Sequence, residues 1–347
     1  MLKIISILII ILLASPSFAL MEFGAEEIVR AEGSDIDVGS YSTPSFFDWN
    51  NDGLDDLIIG DGTGKVRAYL NTGTVDAPVF SNYFFVQADG SDLQVAASGC
   101  LGSFPRVVYW NDDSKKDLLV GAGTGKIYIF LNAGADTNPV FDAGTFVQAN
   151  SADISVGARA TSIFNDWNND GLNDLIVGAF DGKMRIFINE GTTSNQIFQT
   201  AALAKNGGSD LTVPSVRSSP IFYDFDSDGK KDLICGNTAG QLLFYKNTNT
   251  VENPVFSNYV ALTSLGVPID LPGDPRSRPS FCNWNNDAFV DALIGASDGK
   301  VHLYRGVPEP SMFIIFLFLF TFLLNPSRKK GSSKIGRCQA RLLGLLD

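Results

Sequence analysis

The chain has 347 residues, with 26 basic and 38 acidic side chains, one histidine and a formal net charge of −12 at pH 7. Residues 1–19 and 307–347 hold 7 basic and 2 acidic residues, which leaves 19 basic and 36 acidic ones in 20–306, a net charge of −17. So acidic a segment lacks the basic footprint that phosphate binding needs, which excludes nucleic acid as a partner.

The first residues have the pattern of a signal peptide. Lys3 is a short positive region, Ile4 to Ala14 is apolar, and Ser17-Phe-Ala19 is a small-x-small cleavage site. The expectation is an exported protein whose mature chain starts near Leu20.

From there to residue 306 the chain repeats. A nine-residue acidic loop begins at Asp48, Tyr109, Asp166, Asp224 and Asn283, at steps of 61, 57, 58 and 59 residues. Before each loop stands a short apolar run such as Ser45-Phe-Phe47, and after it a run ending in glycine such as Leu57-Ile-Ile-Gly60. A third, alternating run opens at Lys65, Lys126, Lys183, Gln241 and Lys300, and a fourth opens at Phe80, Phe141, Phe198 and Phe256. Short β-branched and aromatic runs bounded by Gly, Asn and Asp predict strands. Four of them in about 58 residues predict the blade of a β-propeller.

The stretch from Phe23 to Val38 matches Phe80 to Val95 at a constant offset of 57. It is a fourth-strand segment with no blade before it, while the last unit ends at Tyr304-Arg-Gly306 with no fourth strand after it. The fold class expected is all-β: a five-bladed propeller over 20–306, closed by the N-terminal strand so that no edge is left unpaired. The alternative is an open stack of five units. Cys100, Cys235 and Cys282 are too sparse for a disulfide framework and are expected as buried free thiols; Cys338 lies near the C-terminus.

The Asp-x-Asn/Asp-x-Asp-Gly-x-x-Asp loop, the following Leu-Ile-x-Gly, and the Asn-Pro-Val-Phe of 138–141 and 253–256 resemble FG-GAP/VCBS-type repeats. The resemblance covers essentially all of 22–306 and implies integrin-α-like propeller blades. The family's integrin-like members have seven blades, whereas the repeat count here is five.

The loops are expected to bind Ca²⁺, which takes six to eight oxygens from a carboxylate-rich loop with glycine at the turn. Loop one offers Asp48, Asn50, Asp52, the Leu54 carbonyl and Asp56. Loop three offers Asp166, Asn168, Asp170, the Leu172 carbonyl and Asp174, and loop four Asp224, Asp226, Asp228, the Lys230 carbonyl and Asp232. Tyr109 and Ser114 in loop two, and Asn283 and Ala288 in loop five, predict weak or empty sites. The metal is read as structural, and Trp49, Trp110, Trp167 and Trp284 beside it as packing residues.

Seven residues before each loop stand Tyr41, Gly102, Arg159, Arg217 and Arg276. A strand rising ~3.3 Å per residue puts this row about 20 Å from the acidic loops, on the opposite face. Guanidinium groups converging at the channel mouth would attract carboxylate or sulfate; the alternative is that each arginine pairs with an acid and holds blades together.

Val307-Pro-Glu-Pro310 is followed by the apolar run Met312 to Leu324 and by Arg328-Lys-Lys330. The motif Pro308, Glu309, Pro310 in this order resembles the PEP-CTERM sorting signal of Gram-negative bacteria that make exopolysaccharide, over 307–330. It implies transient inner-membrane anchoring, with the basic cluster kept inside, and processing by an exosortase. The 13-residue apolar run reaches the ~17 needed to span only with its neighbours, and 331–347 form a short tail. Together these features predict an exported, calcium-stabilised, non-catalytic surface or matrix protein associated with acidic exopolysaccharide. A polysaccharide lyase or glycosidase using the propeller funnel, and an integrin-like protein adhesion module, are the alternatives; a lone histidine, His302, leaves little for histidine-based acid–base chemistry.

Overall fold

The computed structural model describes residues 21–98, 102–273 and 275–308; Cys100, Asp274, Glu309 and Pro310, the leader and the apolar run lie outside them. The described residues are all-β, and their repeat forms a closed five-bladed propeller. The first blade runs outward through Thr43–Phe47, Asp56–Gly60, Val66–Tyr69 and Phe84–Phe85, each strand antiparallel to the last. The second, third and fourth repeat that order from Ser103–Val108, Thr161–Asn165 and Ser219–Tyr223.

The fifth blade is completed from the other end of the chain. Arg278–Cys282, Asp291–Gly295 and Val301–Val307 supply three strands, and Glu22–Ile28 pairs antiparallel with the last of them. This is the closure the offset of 57 predicts, and it replaces the open stack.

The fourth strand sits later than the sequence suggests. Phe80, Phe141, Phe198 and Phe256 make isolated bridges, antiparallel to Asn71, Asn132, Asn189 and Asn247 and parallel to Ala31, Ala88, Ala149 and Asn206, and the paired strand begins a few residues on, at Phe84–Phe85 in the first blade. The reason is burial. Each of these rings is at most 2% exposed, turned under the tryptophan of the preceding blade: Trp284 on Phe80, Trp49 on Phe141, Trp110 on Phe198, Trp167 on Phe256, with centroids 5.6–5.9 Å apart. The tryptophans are packing residues, as read.

Five apolar cores, one between each pair of neighbouring blades, hold the ring together. The core between the fifth and first blades joins Leu293, Val301 and Leu303 to Leu57, Ile59 and Tyr69. Glycine at the end of each second strand permits the close approach: a Cβ on Gly60, Gly121, Gly178, Gly236 or Gly295 would lie 2.0–2.5 Å from a carbonyl oxygen of the next blade. In four interfaces a buried serine of that same next blade (Ser42, Ser103, Ser218, Ser277) accepts from the backbone amide after the glycine, at 2.9–3.1 Å. Cys235 is buried and Cys282 half-buried, both free.

Candidate functional site

Alternate residues of a strand share a face, so each innermost strand sends every second side chain toward the ring's axis. The row read from the sequence is the outermost layer. Two residues further in stand Thr43, Phe104, Thr161, Ser219 and Arg278, and two further again Ser45, Arg106, Ile163, Ile221 and Ser280. Arg106 reaches across the ring, donating from Nη1 to the Pro44 carbonyl at 3.0 Å and from Nη2 to the Pro279 carbonyl at 3.2 Å. The cavity that remains, lined by Thr43, Phe104, Arg106, Thr161, Ser219 and Arg278 among others, is about 10 Å³, room for about one water. The axis is plugged.

At the open end of that plug the predicted row comes together. Tyr41, Arg159, Arg217 and Arg276 all take left-handed backbone, φ 54–58°, which is uncommon without glycine. Their amides donate to the preceding blade's turn, at Ser297, Gly123, Phe180 and Thr238, over 3.0–3.3 Å. Because each row residue precedes the innermost strand and each acidic loop follows it, the row and the loops are on opposite faces.

The side chains interleave with aromatic rings. Arg276 donates to the Tyr41 hydroxyl and lies 5.0 Å over its ring. Arg278 lies between Tyr41 and Phe104, at 5.2 and 5.5 Å, and Arg159 stacks on Phe104 at 5.1 Å. Arg217 stacks on Phe180 at 4.8 Å. Arg159 and Arg217 are 1% and 8% exposed. The polar partners of Arg159 are neutral: the Ser218 carbonyl at 2.8 Å and the Ser219 hydroxyl. Burial, then the charges of Arg278, Arg217 and Arg276, push the Arg159 guanidinium well below its ordinary value. Among the described residues neither Arg159 nor Arg217 pairs with an acid, so the alternative in which each arginine does so does not describe these two.

Phe104 and Phe180 were missed from the sequence, and Arg278, noted there only as a neighbour of Asp274 and a candidate ion-pair partner, was not placed with the row. A period-two reading of the innermost strand exposes Phe104 and Arg278. Phe180 is marked by breaking the repeat: Gly62, Gly123, Thr238 and Ser297 fill the equivalent places.

On the opposite face the hydrogen bonding of the five loops divides into three and two. In loops one, three and four the first aspartate accepts the amides of the fifth and sixth positions: Asp48 from Asp52 and Gly53, Asp166 from Asp170 and Gly171, Asp224 from Asp228 and Gly229, all at 2.9–3.2 Å. The three glycines are left-handed, φ 85–89°. In loop two the first position is the exposed Tyr109, and in loop five Asn283 instead donates to the Asp287 carbonyl. The donor sets of loops one, three and four, hard oxygens on a turn that only glycine adopts easily, fit Ca²⁺. Oxygens of Asp224, Asp226 and Asp232 lie within 4.8 Å of one another. The ion would supply charge neutralisation there, with these residues as its ligands.

The ninth loop residue has a second role. In all five blades it is a fully buried aspartate whose two oxygens accept one amide from the loop and one from the end of the third strand or just past it. Asp56 takes Trp49 and Asn71, at 2.9 and 2.6 Å, and Asp117 in loop two takes Trp110 and Asn132, at 3.0 and 2.8 Å. Burial pushes Asp56, Asp174 and Asp232 up to about 6 against the pull of those amides.

No family model matches the chain, and no curated protein does. Among solved structures it is similar to the Photorhabdus luminescens Tc holotoxin pore, at 14% identity and TM-score 0.39, over 83% of this chain but only 15% of that one. It is similar to BBS1N, solved in complex with ARL6DN, at 13% identity and TM-score 0.38, over 84% of this chain and 98% of that one. The catalytic domain of the Coprinopsis cinerea GH62 α-L-arabinofuranosidase aligns over 83% of this chain and 97% of its own, at 11% identity and TM-score 0.48.

Proposed function

We propose that this protein is an exported, non-catalytic, calcium-stabilised binding propeller of the FG-GAP/VCBS type that associates with acidic exopolysaccharide at the arginine-lined mouth. One observation carries the reading. Arg159, Arg217, Arg276 and Arg278 gather at one end of the axis of a segment whose net charge is −17, and Arg159 and Arg217 are held by carbonyl, hydroxyl and aromatic groups. A cationic mouth on an anionic body admits an acid there and repels it elsewhere.

The acidic loops belong to the scaffold in this reading. Their carboxylates are committed to backbone amides and to Ca²⁺ on the far face. The leader and the PEP-CTERM-like segment supply the route: export, transient inner-membrane anchoring, and exosortase release at the surface of a Gram-negative bacterium. Among the described residues no helix is long and apolar enough to cross a membrane; the apolar run is outside them.

The test is retention of the protein on immobilised acidic and neutral polysaccharides. A variant with Arg159, Arg217 and Arg276 changed to Ala is expected to keep its calcium-dependent melting and lose retention on the acidic resin. Unchanged retention overturns the reading, and turnover of the polysaccharide favours the lyase or glycosidase alternative.

A further inference from the structure

We infer that Arg217, stacked on Phe180 and backed by Arg159, seats a single pendant carboxylate, so that the ring recognises a uronate side group or chain end rather than a threaded strand. This rests on the reading of the mouth as an acidic-glycan site and narrows it to one subsite and one chemical group.

Three observations converge on Arg217. Its Nη1 is buried and has no hydrogen-bond partner among the described residues, and the same is true of Nε of its neighbour Arg159. A buried charged donor left unmade is costly, by more than the ~1–3 kcal/mol of a neutral one, and an oxyanion relieves it. The nearest acid in sequence to the stack, Asp181, is already held bidentate by Arg185, at 3.2 and 2.8 Å. And the ring partner is unrepeated: of the five equivalent positions Phe180 alone carries a ring, 4.8 Å from the Arg217 guanidinium carbon. A planar guanidinium locked by stacking presents its N–H edge to a carboxylate with less entropy to lose than a free one.

The surroundings set the size of what enters. Phe180 and Val216 are 41% and 42% exposed and form a rim over Arg217. Ser215, Val216 and Arg217 are all left-handed, φ 55–60°, a conformation that a β-branched residue adopts only when its surroundings impose it. Below the rim Arg106 and Arg278 fill the axis, leaving a cavity of about 10 Å³. A carboxylate reaches Arg217 from above; a polysaccharide backbone has no passage through the ring.

The experiment is calorimetric titration of the full chain with sodium glucuronate, with glucose as the neutral control and polygalacturonate as the polymer. Glucuronate is expected to bind and glucose not. Arg217→Ala should weaken glucuronate by about tenfold or more, the loss of one charge-assisted bidentate contact, without lowering the melting temperature. Phe180→Gly, which installs the residue of the first two blades, should weaken it by about threefold through loss of the stack; it decides the matter if Arg217→Ala does not fold. Equal responses to glucuronate and glucose, or wild-type affinity in the variant that folds, overturn the inference. Retention on polygalacturonate with no response to glucuronate overturns it while leaving the broader reading standing; no retention on polygalacturonate overturns both.

Discussion

Nδ1 of His302 lies 2.5 Å from a carboxylate oxygen of Glu26, and that contact joins the last strand of the ring to the first. Asp298 approaches the other ring nitrogen at 3.3 Å. The single histidine of the chain therefore sits on the seam where the propeller closes, between two acids, and is 5% exposed.

The seam should be pH-sensitive. Burial opposes the imidazolium, but hydrogen bonds to Asp298 and Glu26, with their charges, raise its pKa above the ordinary value. A raised folded value means that the stabilisation is complete below the unfolded value of ~6.5 and is lost as pH rises through the folded one. Asp298 has the opposite sign. Burial raises it, but its bonds to His302 and to the Lys300 amide outweigh burial and lower it, so its share is lost on acidification below ~3.9. Urea unfolding at pH 5.5 and 8.5 is expected to show the wild type losing about 1–2 kcal/mol more than His302→Leu between the two. Parallel losses would refute the contact's role.

The glycine ending each second strand should tolerate no side chain. A Cβ on Gly178 would lie 2.5 Å from the Ser218 carbonyl oxygen and 2.6 Å from Cδ of Pro220. Both neighbours are fixed in the next blade, so Gly178→Ala must part the third and fourth blades. The expected loss is about 2–4 kcal/mol, in the range of overpacked cores and above, read as a fall in melting temperature. Gly171→Ala, in an open left-handed turn with nothing within 4 Å, should cost only about 1 kcal/mol.

Asp117 separates the two roles of the loop. Loop two has lost its first ligand to Tyr109, yet Asp117 still binds the amides of Trp110 and Asn132. Asp117→Ala leaves two buried amides without an acceptor, a loss of about 2–4 kcal/mol. That loss is expected to be the same with calcium and with EDTA, whereas Asp170→Ala in loop three should destabilise only when calcium is present. Thermal melts of both variants in both buffers measure the difference.

Much of this architecture was legible because the repeat acts as a ruler. The match of Phe23–Val38 to Phe80–Val95 placed the closing strand, since a segment with no blade of its own has only one place to pair. Gly53, Gly171 and Gly229 marked the sound loops, because a left-handed turn leaves its mark on residue identity. The fourth strand was misplaced because Phe80 satisfies two patterns, strand opener and core ring, and only the tryptophan of another blade decides between them. Phe180, and the place of Arg278 in the arginine layer, escaped for a related reason: their importance comes from neighbours in other blades, Arg217 for one and Tyr41 and Phe104 for the other. Within one repeat nothing distinguishes them but their departure from it.

One such departure makes a prediction about metal. Loop four carries Asp226 where the other loops carry Asn50, Asn111, Asn168 and Asn285, and the third strand of the same blade is followed by Lys246 where the first three blades have Leu70, Leu131 and Ile188. The extra acid and the extra base meet: the Lys246 ammonium contacts Asp226 and lies 3.0 Å from Asp228. Loop four thus brings its own cation to the oxygens that Ca²⁺ would use, and the ion must displace an ammonium there that it does not meet in loops one and three. Lys246→Leu, which restores the residue of the first two blades, is expected to tighten calcium at loop four by about tenfold, roughly 1.4 kcal/mol, and to destabilise the calcium-free protein by uncovering Asp226 and Asp228. Calorimetric titration with calcium should show two tight sites and one weak site in the wild type and three tight sites in the variant. A wild type with three equal sites would show that Lys246 does not compete.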